Sequence, residues 1–362
     1  MPREALQLAG YLRKGPALTG PTTVQVDLTG TEGSEDLPFP TCLALLDELR
    51  SMDTQEIRFS GRRDPLAHPQ AWELLSAALQ RGFRTSLHTD FSQVDTAGVE
   101  QILERGIHET IVSLSTSDEG LEDRAARLRT LNDRKTDRPV TRLQYALTGP
   151  EDGQITAAFS LAEELGFDEL EFTLHDAFSD PEPPSPSRTE AAPKLLEELK
   201  PLLGRAPWRT PRLLDGESLT QRLDSLALGE RSDLDLVHET PCLVGWTSAR
   251  VLADGAVLPC LRGLRIPSGN LHEQDFSSTW NGEAQARFRR AARSLAKDGD
   301  LFSKVGREEG PGCGCEIGCG NLAENRHSAG RLRSLTRLER TLLRRGVRMD
   351  RPETAPQQEA GP

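Results

Sequence analysis

Short apolar or β-branched runs recur along the first half of the chain, at Val24–Leu28, Ile57–Ser60, Arg84–Leu87, Thr110–Leu114, Leu143–Leu147 and Leu170–Leu174. Between them lie stretches whose apolar residues fall three and four apart: CLALLDELR, AWELLSAALQRG, GVEQILERG, LEDRAARLRTL and ITAAFSLAEELG. The first pattern predicts strands, the second amphipathic helices. Gly82, Gly106 and Gly166 close three of the helices, where a left-handed residue stops the turn. Six strand–helix units, 26 to 33 residues apart, predict a parallel α/β sheet with helical crossovers. Six units fall short of a complete eight-unit TIM barrel. The periodicity leaves an open sheet and a partial (β/α)6 TIM-like barrel as alternatives. In either, ligands sit at the C-terminal strand ends, which carry Asp27, Thr29, Ser60, Gly61, His88, Asp90, Ser115, Thr148, His175 and Asp176.

After residue 176 the pattern breaks. Ala177–Pro193 holds five prolines and no apolar period, and predicts a linker or exposed excursion. Residues 194–237 read as helical. From Thr240 the chain turns to short strands, tight turns and cysteines. Arg326–Arg348 carries eight Arg against one Glu, with Leu332, Leu335, Leu338 and Leu342 spaced as one helical face. The expected division is therefore a barrel over 1–176, a Pro-rich linker and helical connector over 177–239, a cysteine domain over 240–330, an Arg-rich amphipathic helix over 331–349 and a disordered tail over 350–362.

Composition narrows the function classes. The 362 residues carry 44 Lys+Arg against 56 Asp+Glu, a net charge of −12, which disfavours a general nucleic-acid binder. No stretch approaches the roughly 18 apolar residues of a membrane helix. The N-terminal MPREALQLAGYLRKG lacks the apolar core of a secretory signal, so the expected compartment is the cytoplasm.

Cys42 stands alone, while Cys242, Cys260, Cys313, Cys315 and Cys319 cluster. In a reducing compartment, clustered thiols are metal ligands more often than disulfides. Thiolates suit iron–sulfur clusters or zinc, and either needs four of these five. Twelve residues separate Cys242 from Gly255 and four separate Gly255 from Cys260.

That spacing resembles the opening of the SPASM (or shortened "twitch") domain of radical S-adenosylmethionine (SAM) enzymes. IPSGNLHEQDFSSTWNG, with Gly269, Asn270, Leu271 and Trp280, is similar to the family's "GNL…IW" segment, and Cys315 and Cys319 to the pair that closes its second cysteine group. TTVQVDLTG, EIRFSGRRDPLAHP and FRTSLHTDF resemble the family's first strand, its "FSGGEPLLHP" segment and its "L.TNG" segment. The resemblance spans about residues 20–330. It implies a partial barrel followed by a SPASM domain holding one 4Fe–4S cluster, with Cys242, Cys260, Cys315 and Cys319 as ligands and Cys313 competing for the fourth place. A structural zinc site is the alternative.

The resemblance fails where SAM would bind. The CxxxCxxC motif is absent, and its three positions fall on Glu32, Asp36 and Phe39. The GGEP segment reads Gly61-Arg62-Arg63-Asp64-Pro65, placing two guanidinium groups where the family holds an ammonium. Arg62 and Arg63 could bind a phosphate or carboxylate, or pair with Glu32 and Asp36. The expectation is a degenerate radical SAM/SPASM-like protein without SAM chemistry, acting as a partner or substrate-binding subunit beside an active radical SAM protein or a peptide substrate. The competing expectation is an enzyme of another class, with His88, Asp90, His175 and Asp176 in metal-assisted or acid–base roles.

Overall fold

The computed structural model describes residues 3–13, 17, 19–114, 120–147, 153–174, 186–205, 210–229, 234–293, 299–306, 314–315 and 319–345. Helix α1 (Arg3–Leu12) precedes the repeat. The repeat runs β1 (Thr23–Thr29), α2 (Phe39–Ser51), β2 (Glu56–Gly61), α3 (Ala71–Gln80), β3 (Arg84–Thr89), α4 (Thr96–Arg105), β4 (Glu109–Ser113), α5 (Leu121–Arg134), β5 (Val140–Leu147), α6 (Gln154–Glu164) and β6 (Glu169–Leu174). All six strands and five helices read from the pattern are present. Gly82, Gly106 and Gly166 take φ values of 77°, 68° and 73°, the left-handed stop that a side chain resists.

The chain continues through α7 (Pro186–Leu203), β7 (Arg212–Leu214), α8 (Gly216–Ala227), α9 (Leu234–Glu239), α10 (Val244–Thr247), β8 (Ser248–Val251), β9 (Ala256–Leu258), β10 (Gly269–Asn270), α11 (Phe276–Asn281), α12 (Glu283–Ala292), α13 (Leu322–Ser334) and α14 (Arg337–Arg345). One sheet runs β10-β9-β8-β1-β2-β3-β4-β5-β6-β7. β1 to β7 are parallel, and β8 joins β1 in parallel, pairing Val24 with Ala249. β9 and β10 then add antiparallel strands. The fold is a partial TIM-like α/β barrel whose sheet runs on into the small cysteine-bearing domain.

The strand period of two separates the sheet's faces. Val24, Val26, Ile57, Phe59, Leu87, Val112, Leu143 and Leu170 are buried with Leu45, Leu74, Ile102, Leu128 and Ile155 of the helices. The opposite, concave face carries Gln25, Asp27, Arg58, Ser60, Ser86, His88, Glu109, Arg142, Glu169 and Glu171. Along β5 buried and half-buried residues alternate strictly, so this concave face keeps contact with solvent. A complete TIM barrel fills that space with branched aliphatics; here it is polar.

Two expectations need correction. Residues 177–185 lie outside the described residues, but Pro186–Pro193 belongs to α7 rather than to a linker. A proline at a helix start gives up only a donor that has no partner anyway. Burial of Ala192, Leu195 and Leu199 against Leu219 and Leu223 of α8 offsets the bond lost at Pro193. The Arg-rich C-terminal segment is also two helices. The Thr336 hydroxyl accepts from Glu339 N at 3.2 Å while Glu339 Oε2 accepts from Thr336 N at 2.8 Å, a capping box that restarts the helix. This restart breaks the leucine stripe: Leu343 is buried against α1, whereas Leu338 is 68 % exposed. Residues 346–362 lie outside the described residues.

Candidate metal centre

Three segments present the thiols. Cys242 precedes α10, and the N–H of Leu243 donates to Asn325 Oδ1 of α13 at 2.6 Å. Cys260 follows the β8–β9 hairpin. Gly255 turns that hairpin at φ 80°, and a Cβ there would lie 2.8 Å from Asn270 Oδ1, so both conformation and space demand glycine. A Cβ on Gly263 would come within 3.3 Å of Cys260 Sγ. Cys319 leads into α13, its Sγ 3.8 Å from Asn325 Nδ2. Asn325 therefore fixes both the Cys242 and the Cys319 loops.

Three of the thiols, Cys242, Cys260 and Cys315, pack into one cluster. Burial, then the neighbouring Cys242 and Cys319, push the Cys260 thiol up to about 12. Cys260 and Cys315 both pack against the cluster of Cys242, Val244, Trp246 and Phe302. Cys313 lies outside the described residues. Among the described residues no cysteine forms a disulfide, and Cys42, pushed up to about 12 by burial, is a core residue of α2. Buried thiols that oppose each other's ionisation become thiolates when a cation compensates them, so this soft donor set fits an iron–sulfur group. Zinc holds its sulfurs about 2.3 Å from a single point. Among the described residues no group of three His, Cys, Asp or Glu side chains could hold a metal ion, which bears alike on zinc and on a cluster.

An ion pair ties this centre to the barrel. Asp27, 1 % exposed, accepts from Arg250 Nη2 at 2.6 Å and Nε at 3.1 Å, and from Ser60 Oγ at 2.6 Å. Arg250 Nη1 donates to the carbonyl of Leu261, the residue after Cys260, at 2.8 Å. Leu261 N donates to Asn321 Oδ1 at 2.9 Å, and Asn321 to Glu324, which pairs with Arg58 of β2 at 2.9 Å.

The loop after β1 is closed by charge. Asp36 pairs with Arg63 at 2.5 Å and accepts from Gly30 N at 3.2 Å. Glu32 is exposed, and Phe39 packs against the core at the start of α2. Of the two arginines, Arg63 takes Asp36, while Arg62 lines a cleft of about 390 Å³ with Asp36, Asp254 and His272. A Cβ on Gly61 would lie 1.9 Å from Thr29 Oγ1, so this glycine permits the crossing of the two loops.

The remaining strand-end candidates separate. Ser115, Thr148, His175 and Asp176 lie outside the described residues. Burial, then Arg58, Arg142 and Arg250, hold His88 down to about 3, and its Nε2 is buried without a hydrogen-bond partner. Asp90 joins Asp64. Burial and the hydrogen bond with Asp90 push Asp64 up to about 7. Burial also opposes Asp90's charge, but bonds from Asp64 and Ser92 outweigh it and hold Asp90 below the usual range.

Residues 242–301 match the model of the SPASM iron–sulfur cluster-binding domain. Residues 242–301 therefore resemble a SPASM domain, and the strands before them form a partial TIM-like α/β barrel. SuiB of Streptococcus suis bound to its precursor peptide SuiA superposes with a TM-score of 0.58 at 13 % identity, covering 86 % of this chain and 77 % of SuiB. SuiB bound to S-adenosylmethionine gives 0.55 at 14 %, covering 82 % and 76 %. At such identity the likeness concerns the fold. No curated protein matches the chain by sequence.

The SPASM match takes in Cys242 and Cys260, while Cys315 and Cys319 follow it. The concave-face arginines escaped the sequence reading. Arg142 pairs with Glu109 at 2.6 Å, Glu169 at 3.0 Å and Glu171 at 3.3 Å. Their signal was present as charge at alternate strand positions, in RLQYA and ELEFTL, where a barrel core calls for aliphatics. Among the described residues no helix is long and apolar enough to cross a membrane.

Proposed function

We propose that this chain is a catalytically degenerate radical SAM/SPASM-like protein that holds one 4Fe–4S cluster and acts by binding a partner. Cys242, Cys260, Cys315 and Cys319 would hold the cluster, with Cys313 the competitor for the fourth position. When bound, such a group supplies one-electron chemistry and local rigidity. The protein's own residues do the rest: Asn325 and Asn321 hold the cysteine loops, and Arg250 locks them to β1. Clustered cysteines that form no disulfide among the described residues suit a reducing compartment such as the cytoplasm.

The observation that carries the degenerate reading is the Asp36–Arg63 pair. It occupies the loop where three thiolates would have to hold a SAM-cleaving iron. Arg62 and Arg63 oppose an ammonium there, and Glu32, Asp36 and Phe39 supply no thiolate. The SuiB–SuiA complex supports a peptide or protein as the bound molecule, and an active radical SAM protein is the partner we favour. The test is to reduce anaerobic protein with dithionite in the presence of SAM. The reading requires no 5′-deoxyadenosine above a Cys242→Ala/Cys260→Ala control; turnover above that control sinks it.

One observation favours a second reading, acid–base chemistry at the strand ends. A protonated Asp64 beside an ionised Asp90 is the arrangement by which two carboxyls divide acid and base roles. Asp64 Oδ1 also accepts from Leu66 N at 2.8 Å to cap a short turn, and that capping accounts for its position without chemistry.

A further inference from the structure

A second cavity, of about 360 Å³, lies where β1, β2 and β8 begin, at the opposite end of the strands from the Asp36–Arg63 pair. Thr23, Glu56, Arg58 and Ser248 line it from the sheet, and Leu8 from α1. Helix α13 completes it with Glu324, His327, Ser328 and Arg331, whose spacings of three, four and seven put them on one helical face. Ala323 and His327 are exposed, so the cavity opens to solvent along α13. Packed interiors leave few voids larger than a water, which needs only about 10–15 Å³. This space is far larger, so close packing alone does not account for it.

The acceptors on its walls are already engaged. Arg58 donates from Nε to Glu56 at 2.7 Å and from Nη1 to Glu324 Oε1 at 2.9 Å. Ser248 Oγ and Asn321 Nδ2 donate to Glu324 Oε2 at 3.2 and 2.7 Å. What remains is a set of donors. The hydroxyls of Thr23 and Ser328 and the imidazole of His327 make no hydrogen bond among the described residues, and Arg331 adds a guanidinium. Donors beside a cation suit an anionic, acceptor-rich group. Two fixed carboxylates nearby oppose a dianion, so a single negative charge fits better than a phosphate. Leu8, 3 % exposed, offers the rest of such a molecule an apolar contact.

We propose that this cavity binds a small organic monocarboxylate, its carboxylate held by Arg331, Ser328 and His327 and its apolar body lying against Leu8. The inference is independent of the iron–sulfur reading, because the thiols take no part in it. An occupant would touch α1, α13 and the starts of β1 and β8 together, and so brace the two helices against the barrel.

The test is calorimetric titration of the full-length protein with hexanoate, 3-phenylpropionate and indole-3-acetate, beside 3-phenylpropylamine and phenyl phosphate. At least one of the three carboxylates should bind saturably, more tightly than the amine or the phosphate. Arg331→Gln should weaken that binding about tenfold or more, since a charge-assisted hydrogen bond is lost. Ser328→Leu, at a half-buried helix position, should abolish it by filling the space, with an unchanged urea midpoint showing that the variant folds. The bound carboxylate should also slow amide exchange across α1 and α13. Absence of saturable binding by all three carboxylates overturns the proposal, as does tighter binding of the amine or of phenyl phosphate. Wild-type affinity in Arg331→Gln, or exchange slowed only outside α1 and α13, overturns it equally.

Discussion

Replacing Arg250 by Met should loosen the SPASM domain from the barrel and weaken its hold on the thiol loops. The guanidinium supplies two hydrogen bonds to Asp27 and one to the Leu261 carbonyl. Without it, Asp27 keeps Ser60 and Gln25 as its side-chain partners among the described residues while remaining almost fully buried. Stranding one member of a buried pair costs about 3–5 kcal/mol. Losing the carbonyl contact adds about 1 kcal/mol. Arg250 is 16 % exposed, so the lower part of the range is the better guide. Asp27→Asn added to Arg250→Met removes the stranded charge and should recover roughly half of the loss. Urea unfolding followed by tryptophan fluorescence gives the midpoints, and visible absorbance gives the rate at which the cluster is lost to a chelator. A single variant within about 1 kcal/mol of wild type, or one no better after Asp27→Asn, would refute the argument that this pair joins the two parts.

Three further outcomes follow from particular residues. Asp64 is pushed up to about 7 from an ordinary 3.8, so its contribution to stability is present below about pH 4 and lost as pH rises through 7; Asp64→Asn should flatten the pH dependence of the unfolding midpoint across that window. His88 is held down to about 3 from 6.5, the opposite sign, so its contribution is present above pH 6.5 and lost as pH falls towards 3. His88→Gln should therefore make the protein more resistant to acid unfolding, and an unchanged acid midpoint would contradict the buried, neutral imidazole. Thr336→Ala removes the capping box and should cost about 1 kcal/mol locally, read as faster amide exchange across α14 with the barrel unchanged.

The barrel was legible because its strands bury one face and its helices repeat at 3.6 residues, patterns that survive in single segments such as Val24–Leu28 and AWELLSAALQ. β7 escaped because three residues show no alternation, and the first half of α7 because its prolines mask a pattern that starts at Ala191. The C-terminal helix was read with the wrong phase, since the Leu spacing runs across Thr336 without regard to a cap whose signal, Thr-x-x-Glu, lay in the same stretch. The thiols were found by spacing alone, because ligands must be particular residue types. Their supports, Asn321, Asn325 and Arg250, are ordinary polar residues that acquire meaning only when the fold brings residues 242, 260 and 319 together. The pairing of Arg63 with Asp36 was among the expected partnerships, whereas the concave-face network of Arg58, Arg142 and Arg250 required knowing which strand faces turn inward.

The central claim is that the thiols of Cys242, Cys260, Cys315 and Cys319 hold a cluster rather than an ion. Iron, acid-labile sulfide and zinc should be quantified per chain in protein purified anaerobically, beside its Cys260→Ala variant. The account predicts about four iron and four sulfide in the wild type and loss of both in the variant. Stoichiometric zinc with no sulfide would contradict it.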